Sequence, residues 1–521
     1  MMKRPIESAC LLLIVLFALA DRSFAQAPTV GSTPAAPQGA QATQLLLSGR
    51  TGQTGSVRTT ELPIPGATTS VNTINPAVQV QGPYTGSVQS RTNVLASGKL
   101  SLREAIQRGL DYNLGAISQT QAVMQSRGQR RSALSSLLPN LNAYTSETVQ
   151  QINLLAIGLG TGSIFPIGVH VPSVVGPFNF FDLRGTLNQT VFDRTALYNY
   201  RSTVETVRAN QLWAQDARDL IVLAVGGAYL QVIAARAKAE ASRAELETDE
   251  ALYQQTLQQR RAGVVAQTDL NRSQIQALTE KQRLVSLEND LSKQKINLAR
   301  MTGLPVDAQF DLSDDVPFSP EPPITLEKAL QLAMEQRADL RASEAQVRAA
   351  ERSVSAARAE RIPSASVRGD YGVLGINPAQ SHGTFSVTGR VDIPIWKGGR
   401  TEGDIQQAEA ALGQRTAERE DVIRQIESDV RNAYLDLEAA KSQVEVAMTN
   451  IRVSQENLVL TRQRYDAGVS NNVEVVQSQE SIATAQSDYI NSVFAHNLAK
   501  LALLRAIGNA PEKLQQFLVV H

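Results

Sequence analysis

The sequence predicts a mainly α fold with some β structure, built as two tandem copies of one pattern: helix, β-hairpin, very long helix, tip turn, helix. Three observations predict it. Short motifs recur in the same order at constant offsets, the apolar period switches from helical to alternating after a proline in each copy, and two stretches of about 65 residues contain no proline.

The chain of 521 residues opens on a basic pair, Lys3 and Arg4, followed by an uncharged apolar run from Leu11 to Ala20. That run has the length of a signal-peptide core and is too short to span a bilayer. Small residues at Ser23 and Ala25 satisfy the cleavage rule, which places the mature start near Gln26 with the cut between Ala25 and Gln26. The one cysteine, Cys10, precedes the apolar run and leaves with the signal, so disulfide staples and thiolate metal sites are excluded. Lys plus Arg and Asp plus Glu number 50 each, so no global basic field attracts nucleic acid. Only 5% of residues are aromatic, and long helices account for the Ala-, Gln-, Glu- and Arg-rich second half.

Residues 26–98 are rich in Thr, Gly, Pro, Gln, Ser and Ala, with Tyr84 the sole aromatic. Such a stretch buries too little apolar surface to offset its ordering entropy and is expected to be a disordered tail. The first repeat is expected over 99–304, a linker over 305–323, the second repeat over 324–510 and a short tail over 511–521. Leu100 to Ala105 recurs as Ile324 to Ala329, and Pro139 recurs as Pro363, both at an offset of 224. Tyr229, Gly263 and Gly303 recur as Tyr434, Gly468 and Gly508, at an offset of 205. The difference of 19 locates an insertion around residues 150–178 of the first copy.

Ser101 and Thr325 are N-cap types, with Glu104 three residues after Ser101 as in a capping box. After Pro363, Val367, Gly369, Tyr371 and Val373 alternate with Arg368, Asp370 and Gly372; Phe385, Val387, Val391 and Ile393 then alternate with Ser386, Thr388, Arg390 and Asp392. The first copy offers 141–146 and a return strand around 181–191. Alternation alone suits a soluble antiparallel sheet or a transmembrane barrel equally, and export with strands of crossing length favours the barrel. Four strands cannot close one, and open edges in hydrocarbon leave backbone groups unpaired at several kcal/mol each, so other copies must complete it.

The long helices are expected from about Arg194 to Arg260 and Thr401 to Tyr465, reaching about 100 Å at 1.5 Å per residue. Val204, Val207, Leu220, Leu223, Leu230 and Ile233, then Val422, Ile426, Val430, Leu437, Val444 and Ile451, form stripes of coiled-coil core. The uncharged run Leu220 to Ala235 is expected to be helix packing rather than a membrane span. Ile152 to Phe178, broken by Gly158, Gly160, Pro166 and Pro172, is expected as a long outer hairpin loop.

HExxH, CxxC and a phosphate-binding Gly-Lys-Ser/Thr are all missing from the sequence. His170, His382, His496 and His521 are scattered and expected at the surface. No enzyme chemistry, cofactor or metal site is expected.

The most specific local feature is the duplicated turn. Arg464-Tyr465-Asp466-Ala467-Gly468-Val469 precedes Glu474 and Ser478, and Arg260-Arg261-Ala262-Gly263-Val264 precedes Asp269 and Ser273 at the same spacings. These turns, the helix starts and the repeated order resemble the TolC-type outer membrane factor (outer membrane efflux protein) family over residues 99–510. The resemblance implies a homotrimer in which each copy gives four strands to one twelve-stranded barrel in outer-membrane lipid and its helices to a periplasmic α-barrel. It implies that the tips contact a periplasmic adaptor (membrane fusion) protein linked to an inner-membrane pump, with no nucleic-acid partner. Carried over, tip and adaptor contact falls to Arg260, Arg261, Gly263, Asp269, Arg464, Tyr465, Gly468 and Glu474. Some resembling proteins have an arginine two residues after the second tip glycine and an aspartate nine after it. Here Ser470 and Gln477 stand there, so an ionic latch or acidic ring is not expected, and Ser470, Asn471, Asn472 and Gln477 are the candidate entrance lining.

The implied function is a passive exit duct for small toxic compounds in a tripartite efflux system. The runner-up is the channel of a type I protein secretion system. From another class, an exported coiled-coil scaffold without a pore is disfavoured by the alternating strands.

Overall fold

The computed structural model describes residues 56–61, 76–89, 98–156, 172–320, 324–467, 469 and 472–518. The expected signal peptide, its Ala25/Gln26 junction and most of the 26–98 stretch lie outside them, as do His170 and His521. In chain order the elements are β1 (Val57–Glu61), β2 (Pro76–Val80), β3 (Lys99–Leu100), α1 (Leu102–Tyr112), α2 (Leu114–Ser135), β4 (Asn140–Asn153), β5 (Val174–Phe192), α3 (Arg194–Arg261) and α4 (Gln267–Thr302). The second copy follows with β6 (Asp311–Leu312), α5 (Leu326–Gln336), α6 (Ala338–Ala359), β7 (Ser364–Gly375), β8 (Ser381–Asp392), α7 (Arg400–Asp466), α8 (Asn472–Ile507) and a closing α9 (Ala510–Phe517).

The duplication holds element by element. α1 and α5 are 11 residues each and α2 and α6 are 22 each, with both pairs offset by 224. α4 and α8 are 36 residues each at an offset of 205, and α3 and α7 span 68 and 67. Both expected caps form: Ser101 Oγ accepts from the Glu104 N–H at 3.1 Å, and Thr325 Oγ1 from the Lys328 N–H at 3.3 Å.

The chain divides into two compact units, one holding the large sheet (134–196 and 359–397) and one holding most of the helices. The sheet is antiparallel in the order β4-β5-β7-β8, so among the described residues β4 and β8 are its two unpaired edges. Its register sorts the side chains onto two faces. Leu141, Leu187, Gly369 and Val387 form one cross-strand row, with Ala143, Gly185, Tyr371 and Phe385 beside it on the same face. On the opposite face Asn142, Thr186, Asp370 and Ser386 align, next to Tyr144, Arg184, Gly372 and Thr384. Phe385 and Val387 are 77% and 71% exposed, so the apolar face is bare in the isolated chain. The polar face carries a network centred on Arg184, which pairs with Asp370, meets Asp182 at 3.3 Å and donates to Thr384 Oγ1 at 3.2 Å. Ser386 Oγ donates to Asp370 at 2.6 Å.

The first hairpin is longer than its sequence pattern suggests. The expected strand 141–146 runs on to Asn153 and the return strand begins at Val174, so the two ends of the 150–178 insertion are strand rather than loop. The reason is backbone pairing. Thr148, Val149 and Gln150 continue the ladder against Phe180, Asn179 and Phe178 although their side chains break the alternation, and residues 157–171 lie outside the described ones.

In the helical unit the core gathers where both copies begin and end. By length and composition alone α3 could cross a membrane, yet most of its apolar window is buried. Ile221, Val225, Tyr229 and Val232 are at most 1% exposed, packed with Leu298 of α4 and Leu498, Leu501 and Leu504 of α8. The Leu220 to Ala235 run is therefore helix packing. The expected stripe residues of α3 and α7 are buried or half-buried throughout.

Three sequence expectations are corrected here. Part of the 26–98 tail is folded: β1 pairs with β2, Val78 lies over Gly227, and Tyr84 is 2% exposed with its carbonyl accepting from Asn113 Nδ2 at 2.9 Å. One aromatic and a few valines suffice because a preformed helical surface supplies the other side of the contact. The 305–323 stretch is more than a linker: β6 pairs in parallel with β3, Asp314 accepts from the Leu102 N–H at 2.6 Å, and buried Lys500 donates to Ser319 and Pro320. His496, expected at the surface, is 0% exposed with its ring 4.8 Å from that of Phe318, while His382 lies exposed in β8.

Candidate functional site

Both long hairpins share one closing backbone bond among the described residues. At the first tip the Gly263 N–H donates to Arg260 O at 3.0 Å and the Val264 N–H to Gln259 O at 2.9 Å, the paired bonds that end a helix when the next residue turns left-handed. Gly263 has φ +77°, and a Cβ there would touch nothing within 4 Å. The glycine is required by backbone conformation, which costs an L side chain about 1–2 kcal/mol, and not by space. At the second tip the Val469 N–H donates to Arg464 O at 3.0 Å, the same bond moved by 205 residues; Gly468, Ser470 and Asn471 lie outside the described residues.

The charged residues singled out by sequence act locally at both turns. Arg260 reaches over the first tip to Gln267 Oε1 at 3.3 Å and Val265 O at 3.4 Å, and Asp269, in the first turn of α4, meets Arg272 at 3.3 Å. Arg261 is exposed. At the second tip Arg464 Nη1 lies 3.4 Å from Glu474 Oε2, an exposed pair across the turn worth only a few tenths of a kcal/mol. Tyr465 is half-buried and Gln477 exposed. Ser478, one turn beyond Glu474, is buried and bonds Thr461 Oγ1 at 3.1 Å and Asn457 Nδ2 at 3.2 Å, tying α8 to α7. Its counterpart Ser273 donates to Leu270 O of its own helix, so this serine ties the two helices at the second tip and not at the first.

Above the tips is a cluster that no motif announced. Asp249 is 12 residues before the end of α3, about 18 Å along the helix. It is 1% exposed and accepts from Gln479 Nε2 of α8 at 3.2 Å, while Ser242 donates to buried Glu280 of α4 at 2.6 Å. Glu245 lines two adjoining cavities of about 430 and 280 Å³, the first with Arg462 and the second with Glu280 and Arg283. Burial, reinforced by the neighbouring carboxylates, pushes Glu245 up to about 7 and Asp249 to about 6. The signal in the sequence was positional: Ser242, Glu245 and Asp249 sit at three- and four-residue spacing, where the apolar stripe of α3 would otherwise continue.

Both folded-state values lie above those of an unfolded chain, so the neutral form is the one favoured by folding. The stability this adds is complete below about pH 4 and is lost as pH rises through 6 to 7. The thermal midpoint of the helical unit is therefore expected to fall from pH 5 to pH 8. Glu245→Gln with Asp249→Asn should flatten that slope in circular-dichroism melts; an unchanged slope would remove the cluster as its cause.

A duplicated chain with long helical hairpins and a four-stranded sheet, apolar on one face and open at both edges, defines a class: outer-membrane channel protomers. The family model described as "Outer membrane efflux protein" matches residues 117–304 and 329–509. The chain belongs to this family, of TolC type, whose members are outer-membrane channels and not enzymes. It is 26% identical to outer membrane protein OprJ of Pseudomonas aeruginosa, over 81% of this chain and 86% of that protein. It is 24% identical to the toluene efflux pump outer membrane protein TtgF of Pseudomonas putida, over 78% of this chain and 83% of that protein. The crystal structure of the Campylobacter jejuni CmeC outer membrane channel shares the fold, with a TM-score of 0.70 at 16% identity over 88% of this chain and 98% of that one. The protein is thus an outer-membrane efflux protein whose helices form a periplasmic tunnel.

Proposed function

We propose that three copies of this chain form a passive exit duct of a tripartite efflux system, which receives small toxic compounds from a periplasmic adaptor and an inner-membrane pump. The observation that carries this reading is the sheet with one bare apolar face, one charged face and two unpaired edges. In hydrocarbon those edges must be paired, and four strands per copy require other copies. Two copies would give eight strands, a barrel filled by its own side chains, whereas three give twelve and leave a lumen. The networked face around Arg184 and Asp370 would line it. The relative TtgF, named for toluene efflux, supports small apolar cargo.

The tips are the surface offered to the adaptor. Arg260, Arg261 and Asp269 at one, Arg464, Tyr465 and Glu474 at the other, would form the contact with Gly263 and Gly468 setting the turns, and Ser470, Asn471, Asn472 and Gln477 would border the entrance. A deletion strain tested against a drug panel, alongside a survey of its secreted proteins, decides the cargo. Hypersensitivity restored by the wild-type gene is expected; unchanged tolerance with a missing secreted protein would instead assign the channel to type I secretion. Complementation by Gln477→Asp should be accompanied by new cation block in planar bilayers if that side chain borders the entrance.

A further inference from the structure

The acids of the cluster above the tips are not required by the fold, because the repeat shows what the fold needs there. At the offset of 205, buried Ser242, Asp249 and Glu280 correspond to Ala447, Ser454 and Ala485, which are buried as well. The second copy packs the same helix positions with small uncharged side chains. Burying a carboxylate strips its hydration and adds nothing to such packing. Glu245 corresponds to Asn450, which is exposed.

Beside these acids the first copy also leaves space. Glu245 and Gln486 line both of the cavities of about 430 and 280 Å³, which together fall in the size range of small-molecule pockets. The first cavity is walled largely by apolar side chains, among them Ile451 and Leu458 of α7 and Ile482 of α8. The second holds Ser242 and Glu280, joined at 2.6 Å, and Arg283, which meets Glu280 at 3.1 Å. Glu245 has no hydrogen bond or ion pair among the described residues. Gln479 Oε1, buried beside Asp249, has no donor among them either.

The charge balance is short of one cation. The titratable groups that line the cavities or act on Glu245 are Lys238 and Asp249 of α3, Glu280 and Arg283 of α4, Arg462 of α7, and Asp488 and Tyr489 of α8. With Glu245 counted and Tyr489 neutral, the acids outnumber the bases by one. Burial and the charges of Asp249 and Glu280 accordingly hold Glu245 up at about 7 in spite of Arg462 and Arg283. A metal ion does not suit the apolar wall, and among the described residues no group of three His, Cys, Asp or Glu is placed to hold one.

We propose that these cavities bind a small amphipathic amine in its protonated form, with the ammonium between Glu245 and Glu280 and the apolar body against Ile451, Leu458 and Ile482. The lining comes from four helices of one compact unit, so the site is complete in a single copy. The inference therefore goes beyond the exit-duct reading and does not rest on it. Ligand and proton compete for the same carboxylates. Affinity should rise as pH increases from 5 to 8, the range over which Glu245 and Asp249 release their protons. An alkylamine, with a pKa of about 10, stays charged throughout.

Calorimetric titration of the full chain in detergent tests this, with phenylbutylammonium as the probe and phenylbutanol as its neutral match. The amine is expected to saturate one site per chain at pH 8, and to bind at least about tenfold more weakly at pH 5. The alcohol should bind at least about tenfold more weakly than the amine at pH 8. Glu245→Gln should abolish both differences. Ala244→Phe, which fills the first cavity from an exposed position, should weaken the amine with every carboxylate in place. Equal binding of amine and alcohol would reduce the site to an apolar cleft and overturn the proposal. Amine binding that ignores both substitutions would place the cation elsewhere and overturn it too, as would the lack of any saturable binding. Each of these failures leaves the exit-duct reading standing.

Discussion

Val387→Arg is expected to deplete the protein from the outer membrane, while Ser386→Arg, one residue earlier, should be tolerated. Val387 lies mid-strand on the apolar face, in the row Leu141, Leu187, Gly369, Val387, and is 71% exposed in the isolated chain. A guanidinium facing lipid at the bilayer midplane costs about 2–4 kcal/mol. Ser386 points to the other face, where it donates to Asp370 and where an arginine would meet an acid already paired with Arg184. Quantifying each variant in outer-membrane fractions separates the outcomes. Equal amounts of both would refute the assignment of the two faces.

The second large effect concerns the joint between the two halves. Arg505 of α8 donates to Asp216 of α3 at 2.5 Å, and the two side chains are 12% and 3% exposed. Asp219, one turn on, accepts the N–H groups of Asn509 and Ala510 that begin α9. Removing the cation leaves buried carboxylates uncompensated, so Arg505→Met is expected to cost about 3–5 kcal/mol in denaturant unfolding at neutral pH. Burial already lifts Asp216 to about 6, and loss of Arg505 can only raise it further. The deficit should therefore narrow at pH 5, where the carboxyl is neutral, and Asp216→Asn added to Arg505→Met should recover part of it at pH 7.5. A deficit that is the same at both pH values would show that lost packing of the arginine stem, not charge, is responsible.

The helical repeat was legible because its determinants are local. Ser101 and Thr325 cap, Gly263 turns, and stripes at three- and four-residue spacing need only a neighbouring helix, whichever it is. The second hairpin was legible because Val367 to Val373 and Phe385 to Val391 alternate cleanly. What stayed hidden depends on partners distant in sequence. Tyr84 orders its segment only because Asn113 and the helix surface are there to receive it. Val149 and Gln150 are strand because β5 runs beside them. Glu245, Asp249 and His496 look like solvent-facing polar residues until α8 and its neighbours close over them. At the tips, sequence located the turns and singled out Arg464 and Glu474, but their pairing across the turn and the Ser478 tie to Thr461 and Asn457 required knowing how the two helices meet.

The corresponding helices match in length to within one residue, and this carries an engineering consequence. Helices that pack side by side and close through the same backbone bond at each tip can change length only in concert, like the legs of a table. Adding a heptad to α3 alone would strand its tip a full 10 Å or so beyond its fellow, so lengthening the tunnel calls for matched insertions in α3, α4, α7 and α8 together. The hairpins are under no such rule. With 14 and 19 residues in one pair of strands and 12 and 12 in the other, the chain has already drifted in length there, and that is the place to graft foreign sequence for display.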